Sequence, residues 1–587
     1  MHSESRVFHR LPDRALLSFA GQEQFKLLVR HLLDRFFNNE IVSADGETLP
    51  LIMTVAWAIA LPTLVATIFL FPAYHGFKPR PPTPPFWGRV ADHYGFVMYS
   101  WVVMGAITVF EWDLLVPNVL DVFVLSVLPI ADRRLLLARV AAVLTFLGLF
   151  LIGTSSLGII FFPLATEPSD VPRAYAAHFV AVTAAGLCAA SLVLALQGLL
   201  ISLLGARLFR AISSFLQSLI VMVLSTVLFL FPVFSRSLEA LLQSGNTAVR
   251  WFPPFWFLGV YESIVAGPSA LPAFTQLAHT GYRATALLMV LAIITYPLAY
   301  ARSTRQAVEG FIAPNTRSRL VQPAIRVLHA TLVRTPPRRA VYHFISQTLF
   351  RSQRHRLYLA MYAGVGIALA CVWVVAFRVE GDHIRIAISS GGVRLVVPAL
   401  AFWIVAGLCT SLLSPADPAG SWVFRLIHGK ASSEHMAATR RWVLLWAMAM
   451  TLGAVAVLQL VSYPELRAPR VLVTQVLVAA GICLLLTDAF LLQTATIPFT
   501  EARVPHNTDL GFILLRYIVF FPALIIGTVN YEWWIEVSAG HLIVTTLLII
   551  AAHFALRYVE WRIRRERISR SVSQEEGEVS RVLGLSI

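Results

Sequence analysis

Twelve apolar blocks, most of them near 20 residues long, are the feature that most limits how this chain can fold. A helix needs about 20 such residues to cross roughly 30 Å of hydrocarbon. The blocks lie near 51–71, 94–116, 138–162, 177–204, 211–234 and 284–301, then near 357–377, 393–413, 441–461, 471–492, 511–530 and 537–556. They are apolar on all sides rather than along one stripe, as lipid-embedded helices are. Only 13% of residues are charged, about half the share of an average soluble protein. These facts exclude an ordinary soluble enzyme, a secreted disulfide scaffold and a disordered chain. The expected fold class is an all-α polytopic membrane protein of about twelve transmembrane helices, as two six-helix halves with interfacial amphipathic helices. The first fifty residues are too polar for a cleavable signal peptide, so insertion is expected to begin with the first block.

Lys and Arg number 47 against 32 Asp and Glu, and their placement explains the excess. Basic residues recur on alternate loops: Arg133, Arg134 and Arg139; Arg207 and Arg210; Arg425, Lys430, Arg440 and Arg441; and, in the tail, Arg557, Arg562, Arg564, Arg565, Arg567 and Arg570. The 302–356 segment alone holds eleven arginines. Alternating basic excess marks the cytoplasmic side, so both termini are expected there, in a cytoplasmic (inner) membrane. Membrane lipid, not nucleic acid, is the expected partner of this charge. Cys188, Cys371, Cys409 and Cys483 all fall inside apolar blocks without CxxC spacing, which suggests small apolar helix residues.

Both halves follow one plan. Phe25, Leu28, Val29, Leu32 and Phe36 share a helical face ahead of the first six blocks, and Val341, Phe344, Ile345, Thr348 and Leu349 repeat that spacing ahead of the second six. The expected organisation is a first half over 1–301, an Arg-rich cytoplasmic linker over 302–340, a second half over 341–556 and a charged tail over 557–587. In each half the second and third spans are joined by a cytoplasmic loop rich in Pro and Asp. The loops run from Glu111 to Arg139 and from Ser414 to Arg441.

Catalytic chemistry is not visible. Gly429-Lys430 is the sole Gly-Lys pair and lacks the rest of a phosphate-binding loop, and neither HExxH nor GxSxG occurs. The longest polar stretch, about 55 residues, is also too short for an ATPase domain. No cofactor or metal is therefore expected in this chain, and no enzymatic activity of its own. Asp488 and Arg516 stand out as charges within apolar blocks, where antiparallel neighbours would bring them together as an intramembrane pair. His178, His541 and His553 are expected at interfaces or between helices. The segment RWFPPFWFLGVYESIVAGPSALPAF, Arg250 to Phe274, collects Trp251, Phe252, Trp256, Tyr261 and Glu262 around Pro253 and Pro254. Prolines break a continuous span and aromatic rings favour the interface. Short helices dipping into the outer leaflet are expected here, forming an external gate or a plain aromatic belt.

These residues resemble a known family. VLSVLPIADRRLLLAR, Val124 to Arg139, is similar to the loop between spans two and three of type-two exporter permeases of the ABC superfamily. WFPPFWFLGVYESIVAG, Trp251 to Gly267, resembles the external helices before their sixth span, and the N-terminal amphipathic helix resembles their connecting helix. The likeness covers about 20–301; over 341–556 it rests on topology and on SPADPAGSWVFRL. The resemblance implies two permease halves fused in one chain, without catalytic activity, and a separate ATP-binding subunit in two copies that carries the ATP and Mg. Closure of that motor would switch the halves between inward and outward access. The implied coupling residues are Pro129, Asp132, Arg133 and Arg134 in one loop and Pro415, Asp417 and Arg425 in the other. Alternatives are a secondary transporter using Asp488 and Arg516, or an orphan membrane scaffold without an ATPase. Substrate is not legible beyond a lean toward amphipathic or lipid-like cargo.

Overall fold

Residues 13–37, 48–75, 86–112, 115, 124–125, 128, 130–166, 170–243, 247–308, 322–380, 383–414, 433–461, 468–492, 494, 497–500 and 516–582 are described by the computed structural model. The chain divides into two compact units, Met1–Gln217 with Ser235–Pro314, and Ser218–Phe234 with Asn315–Ile587.

Unit 1 opens with α1 (Asp13–Phe37), α2 (Thr48–Tyr74), α3 (Phe86–Phe110) and α4 (Asp132–Ala165). Next come α5 (Val171–Phe229), which runs on into the second unit, and the short α6 (Phe231–Arg236), α7 (Leu238–Gln243) and α8 (Thr247–Arg250). A helical hairpin closes it, α9 (Pro253–Ala266) and α10 (Pro272–Val308). Its core forms where α1 lies on α4. Leu28 and Leu32 are buried against Leu135, Ala138, Ala142 and Phe146, so the apolar stripe of α1 serves packing.

Unit 2 contains α11 (Gln322–Thr331), α12 (Pro336–Arg351), α13 (Gln353–Val374) and α14 (Ser390–Leu413). Then follow α15 (Ser433–Val461), α16 (Pro469–Phe490), α17 (Phe521–Val537) and α18 (Ala539–Val582). Here α12 lies on α15 as α1 lies on α4, burying Val341, Ile345 and Leu349. The start of α12 is also pinned, because Thr335 Oγ1 and Arg338 Nη2 donate to the Glu434 carboxylate at 2.8 and 2.7 Å.

Eleven helical stretches among the described residues are long and apolar enough to cross a membrane: α2, α3, α4, two in α5, α10, α13, α14, α15, α16 and α18. Their outer faces stay apolar, with Phe69 78%, Leu203 76% and Leu460 77% exposed. Water would not tolerate a surface so extensively apolar, whereas lipid chains would. The fold is that of an all-α, multi-pass membrane protein. The block expected near 511–530 falls partly outside the described residues. What is described is a π-helical turn, Arg516–Phe520, followed by the 17 residues of α17.

Two features differ from the sequence reading. The first is an antiparallel hairpin, β1 (Val375–Glu380) with β2 (His383–Ile388), directly after α13. Both strands alternate β-branched or aromatic residues with polar or small ones, a period-2 pattern. Pairing sets Val375 against Ile388, Phe377 against Ile386 and Val379 against Ile384. The apolar block simply runs on into the first strand, which hid the change of period. The second is α5, a single helix of 59 residues where two spans joined by a turn at Arg207 and Arg210 were expected. At 1.5 Å per residue it is about 88 Å long, nearly three bilayer cores. Both of its apolar stretches can be embedded in one bilayer only if the chain bends between them.

Candidate functional site

The Arg250–Phe274 segment folds as expected of short helices, for reasons visible in its sequence. Pro253 and Pro254 occupy the first turn of α9, where no backbone N–H is needed, and Phe252 before them is extended. Gly267 ends the helix at φ +57°, a conformation that favours glycine, and a 3-10 turn over Gly267–Ser269 leads into α10. Gly259 allows the hairpin to close. A Cβ there would lie 2.6 Å from the Phe274 carbonyl oxygen and 2.8 Å from the Ala278 nitrogen. Trp251 is exposed, whereas Trp256 donates from Nε1 to the Arg250 carbonyl at 2.6 Å and Phe252 meets Phe255 edge-on.

Tyr261 and Glu262 turn inward, away from the aromatic rim. Glu262 is buried and lies 2.6 Å from His93 Nδ1 on α3. The His93 ring stacks on Tyr261 at 4.0 Å, and Tyr261 Oη lies 3.3 Å from His178 Nδ1 on α5. Next to His93, Asp92 accepts a hydrogen bond from Tyr74 Oη on α2 at 2.8 Å. Three elements, α2, α3 and α5, are thus linked to α9 through polar groups. Sequence reading missed His93, Asp92 and Tyr74 because it began the second span at 94, which left the Asp92-His93 pair outside the membrane. A span start moved back to Phe86 would have shown three ionisable residues, Arg89, Asp92 and His93, at the head of an apolar run.

Unit 2 repeats this arrangement with different chemistry. In both units the helix before the last span packs on the second span and on the last, α9 on α3 and α10, and α17 on α14 and α18. In both units an acid on that helix meets a base near the start of the second span. Arg394 on α14 donates from both terminal nitrogens to the Glu536 carboxylate, the longer bond being 3.0 Å. The guanidinium lies 4.3 Å from the Trp533 ring centroid, a cation–π contact. Glu532, one turn earlier, is fully buried.

A third cluster gathers at the other end of unit 2. Asp488 on α16 is almost fully buried, with Oδ2 2.5 Å from His553 Nδ1 on α18. Its Oδ1 is 3.1 Å from Arg440 Nε on α15, an ion pair without hydrogen-bond alignment. Arg440 Nη2 then reaches Glu560 Oε2 at 2.5 Å, and Glu560 is approached by Arg557 at 2.7 Å and Arg564 at 2.5 Å. The side chain of Arg516 lies outside the described residues, so the described partners of Asp488 are Arg440 and His553. Arg440 sits within a continuous helix, α15, which the sequence reading had begun only at 441. Helix α18 extends about 66 Å, and Glu560 ties the part beyond His553 to the bundle.

Of the coupling residues, Asp132 begins α4, where an acid suits the positive end of the helix dipole. Arg133 and Arg134 are exposed beside it, and Arg134 Nη1 donates weakly to Gln24 Oε1 of α1 at 3.4 Å. Leu125 and Ile130 pack toward the core, leaving Val124 and Leu128 on the surface. Pro129, Pro415, Asp417 and Arg425 lie outside the described residues. Among the described residues no group of three or more His, Cys, Asp or Glu is placed to hold a metal ion. Compared with known proteins, the chain matches no family model, no curated protein and no solved structure.

Proposed function

We propose that this chain is the membrane-spanning permease subunit of an ABC-type exporter, driven by a separate ATP-binding subunit in two copies. The observation that carries this reading is the surface at the start of α4. Asp132, Arg133 and Arg134 stand exposed beside Val124 and Leu128, on the helix against which amphipathic α1 is packed. Two exposed arginines close in sequence to two exposed apolar residues suit a protein partner with acidic groups, the charges setting orientation more than affinity. The α9–α10 hairpin and its aromatic rim support a gate at the opposite, external side. Both termini and the 302–356 segment then face the cytoplasm, and the membrane is a cytoplasmic (inner) one. Amphipathic or lipid-like cargo suits a chain in which three of the four buried acids described are already paired, Glu262 with His93, Asp488 with Arg440 and His553, and Glu560 with Arg440, Arg557 and Arg564.

A proton-coupled secondary transporter draws support from the His93–Glu262 and Asp488–His553 pairs. His93, Glu262 and Asp488 each lie within about two turns of a helix end, whereas His553 is central in the Ala539–Glu566 stretch, so the Asp488–His553 pair is the one such a transporter would use. The test is purification of the tagged chain from its own membranes under mild detergent. Recovery of a P-loop ATPase whose hydrolysis depends on the chain supports the permease reading. A folded chain that transports in an ATP-independent, proton-dependent way overturns it.

A further inference from the structure

Helix α17 carries a carboxylate that the fold buries without providing a partner. Glu532 is 0% exposed, and neither of its carboxylate oxygens makes a hydrogen bond. Its charged neighbours are Arg394 and Glu536. Arg394 is engaged by Glu536 through both terminal nitrogens and by the face of Trp533. One cation therefore serves two acids and is committed to one of them. Unit 1 lacks this imbalance, since Glu262 on the equivalent helix has its own base in His93.

Among the described residues, the charges that act on Glu532 are Arg394 and Glu536. From α14 the facing group is Arg394, and on α17 itself it is Glu536. Helix α18 brings His541, whose Nδ1 lies 2.7 Å from the Trp534 carbonyl oxygen, while Tyr531 Oη meets Thr545 Oγ1 at 3.3 Å. Helix α16 brings exposed Arg470 and, at its far end, Asp488 in its own cluster. The π-helical turn brings Tyr517, whose hydroxyl lies 3.2 Å from that of Tyr362, and Arg516, whose side chain lies outside the described residues. An ionised Glu532 would be an uncompensated buried charge, which is strongly disfavoured, whereas a neutral carboxyl is tolerated.

We propose that Glu532 is a proton-binding site, neutral while Glu536 holds Arg394 and ionised when Arg394 turns to it. In that exchange the O–H bond of the Glu532 carboxyl breaks, the proton passes to water, and the guanidinium balances the carboxylate left behind. The proposal is independent of what drives transport, so its failure and that of the permease reading are separable.

Infrared spectroscopy of the full chain in lipid nanodiscs tests it, through the C=O stretch of protonated carboxyls at neutral pH. The wild-type spectrum minus that of Glu532→Gln should contain one such band. Glu536→Gln frees Arg394 for Glu532, so the same band should be lost in that variant although Glu532 is present. Glutamine is isosteric with the neutral acid, so Glu532→Gln should fold to wild-type yield. Failure of that variant to fold, or an unchanged band when Glu532 is removed, overturns the proton site. A band that persists in Glu536→Gln overturns the exchange through Arg394.

Discussion

Arg440 is the residue whose removal should cost unit 2 the most. It stands between two buried acids, 3.1 Å from Asp488 and 2.5 Å from Glu560. Removing one partner of a buried pair typically costs about 3–5 kcal/mol, because the remaining charge is left in low dielectric. Each acid keeps a second partner, His553 for Asp488 and Arg557 with Arg564 for Glu560. Arg440→Met should therefore fall near the lower end, about 3 kcal/mol. Asp488→Asn leaves Arg440 with Glu560 and should cost less, about 1.5–2 kcal/mol, in line with losing one hydrogen bond to a charged group, that with His553. The double variant removes the acid that Arg440→Met would strand, so its cost should fall short of the sum by about 1 kcal/mol or more. Denaturant titration of the purified chain in mixed micelles, followed by tryptophan fluorescence, measures all three. Additivity within about 0.5 kcal/mol would refute the shared node.

Gly259→Ala should destabilise the α9–α10 hairpin by about 1–3 kcal/mol, since its Cβ would press on backbone atoms of α10; unchanged thermal stability would contradict that packing. Single cysteines placed at Arg207 and within 302–356 should label from the cytoplasmic side, and one at Ser269 from outside. Labelling of Arg207→Cys only after solubilisation would mean that α5 does not bend between its apolar stretches. Arg133→Glu with Arg134→Glu should leave insertion intact while weakening ATPase association at least tenfold, as read by co-purification. Loss of insertion instead would assign those arginines to anchoring span three at the lipid headgroups.

The spans were legible because a bilayer imposes one strong rule, about 20 apolar residues per crossing, and Leu, Val, Ile and Phe runs announce it. The apolar stripes of α1 and α12 were legible as well, since Leu28, Leu32, Ile345 and Leu349 recur at helical spacing, but they were expected to face the membrane interface and instead pack on α4 and α15. Side-chain pairing was not legible. Asp488 was expected to pair with Arg516, whose side chain lies outside the described residues; its described partner Arg440 is 48 positions earlier in sequence, and Glu560, which Arg440 also meets, is 72 later. No periodicity links residues so far apart; only the packing of α16 between antiparallel α15 and parallel α18 does. His93 and Glu262 were hidden for the same reason, 169 positions apart. The β1–β2 hairpin escaped because a strand rich in Val and Phe extends an apolar block without any break in hydropathy.

The claim that this chain is a fused permease is tested most directly by native mass spectrometry of the complex released from its own membranes. One copy of this chain with two P-loop ATPase subunits is the predicted assembly, each half docking one motor. A folded chain recovered by itself, or only with further copies of itself, while it still transports would contradict the account.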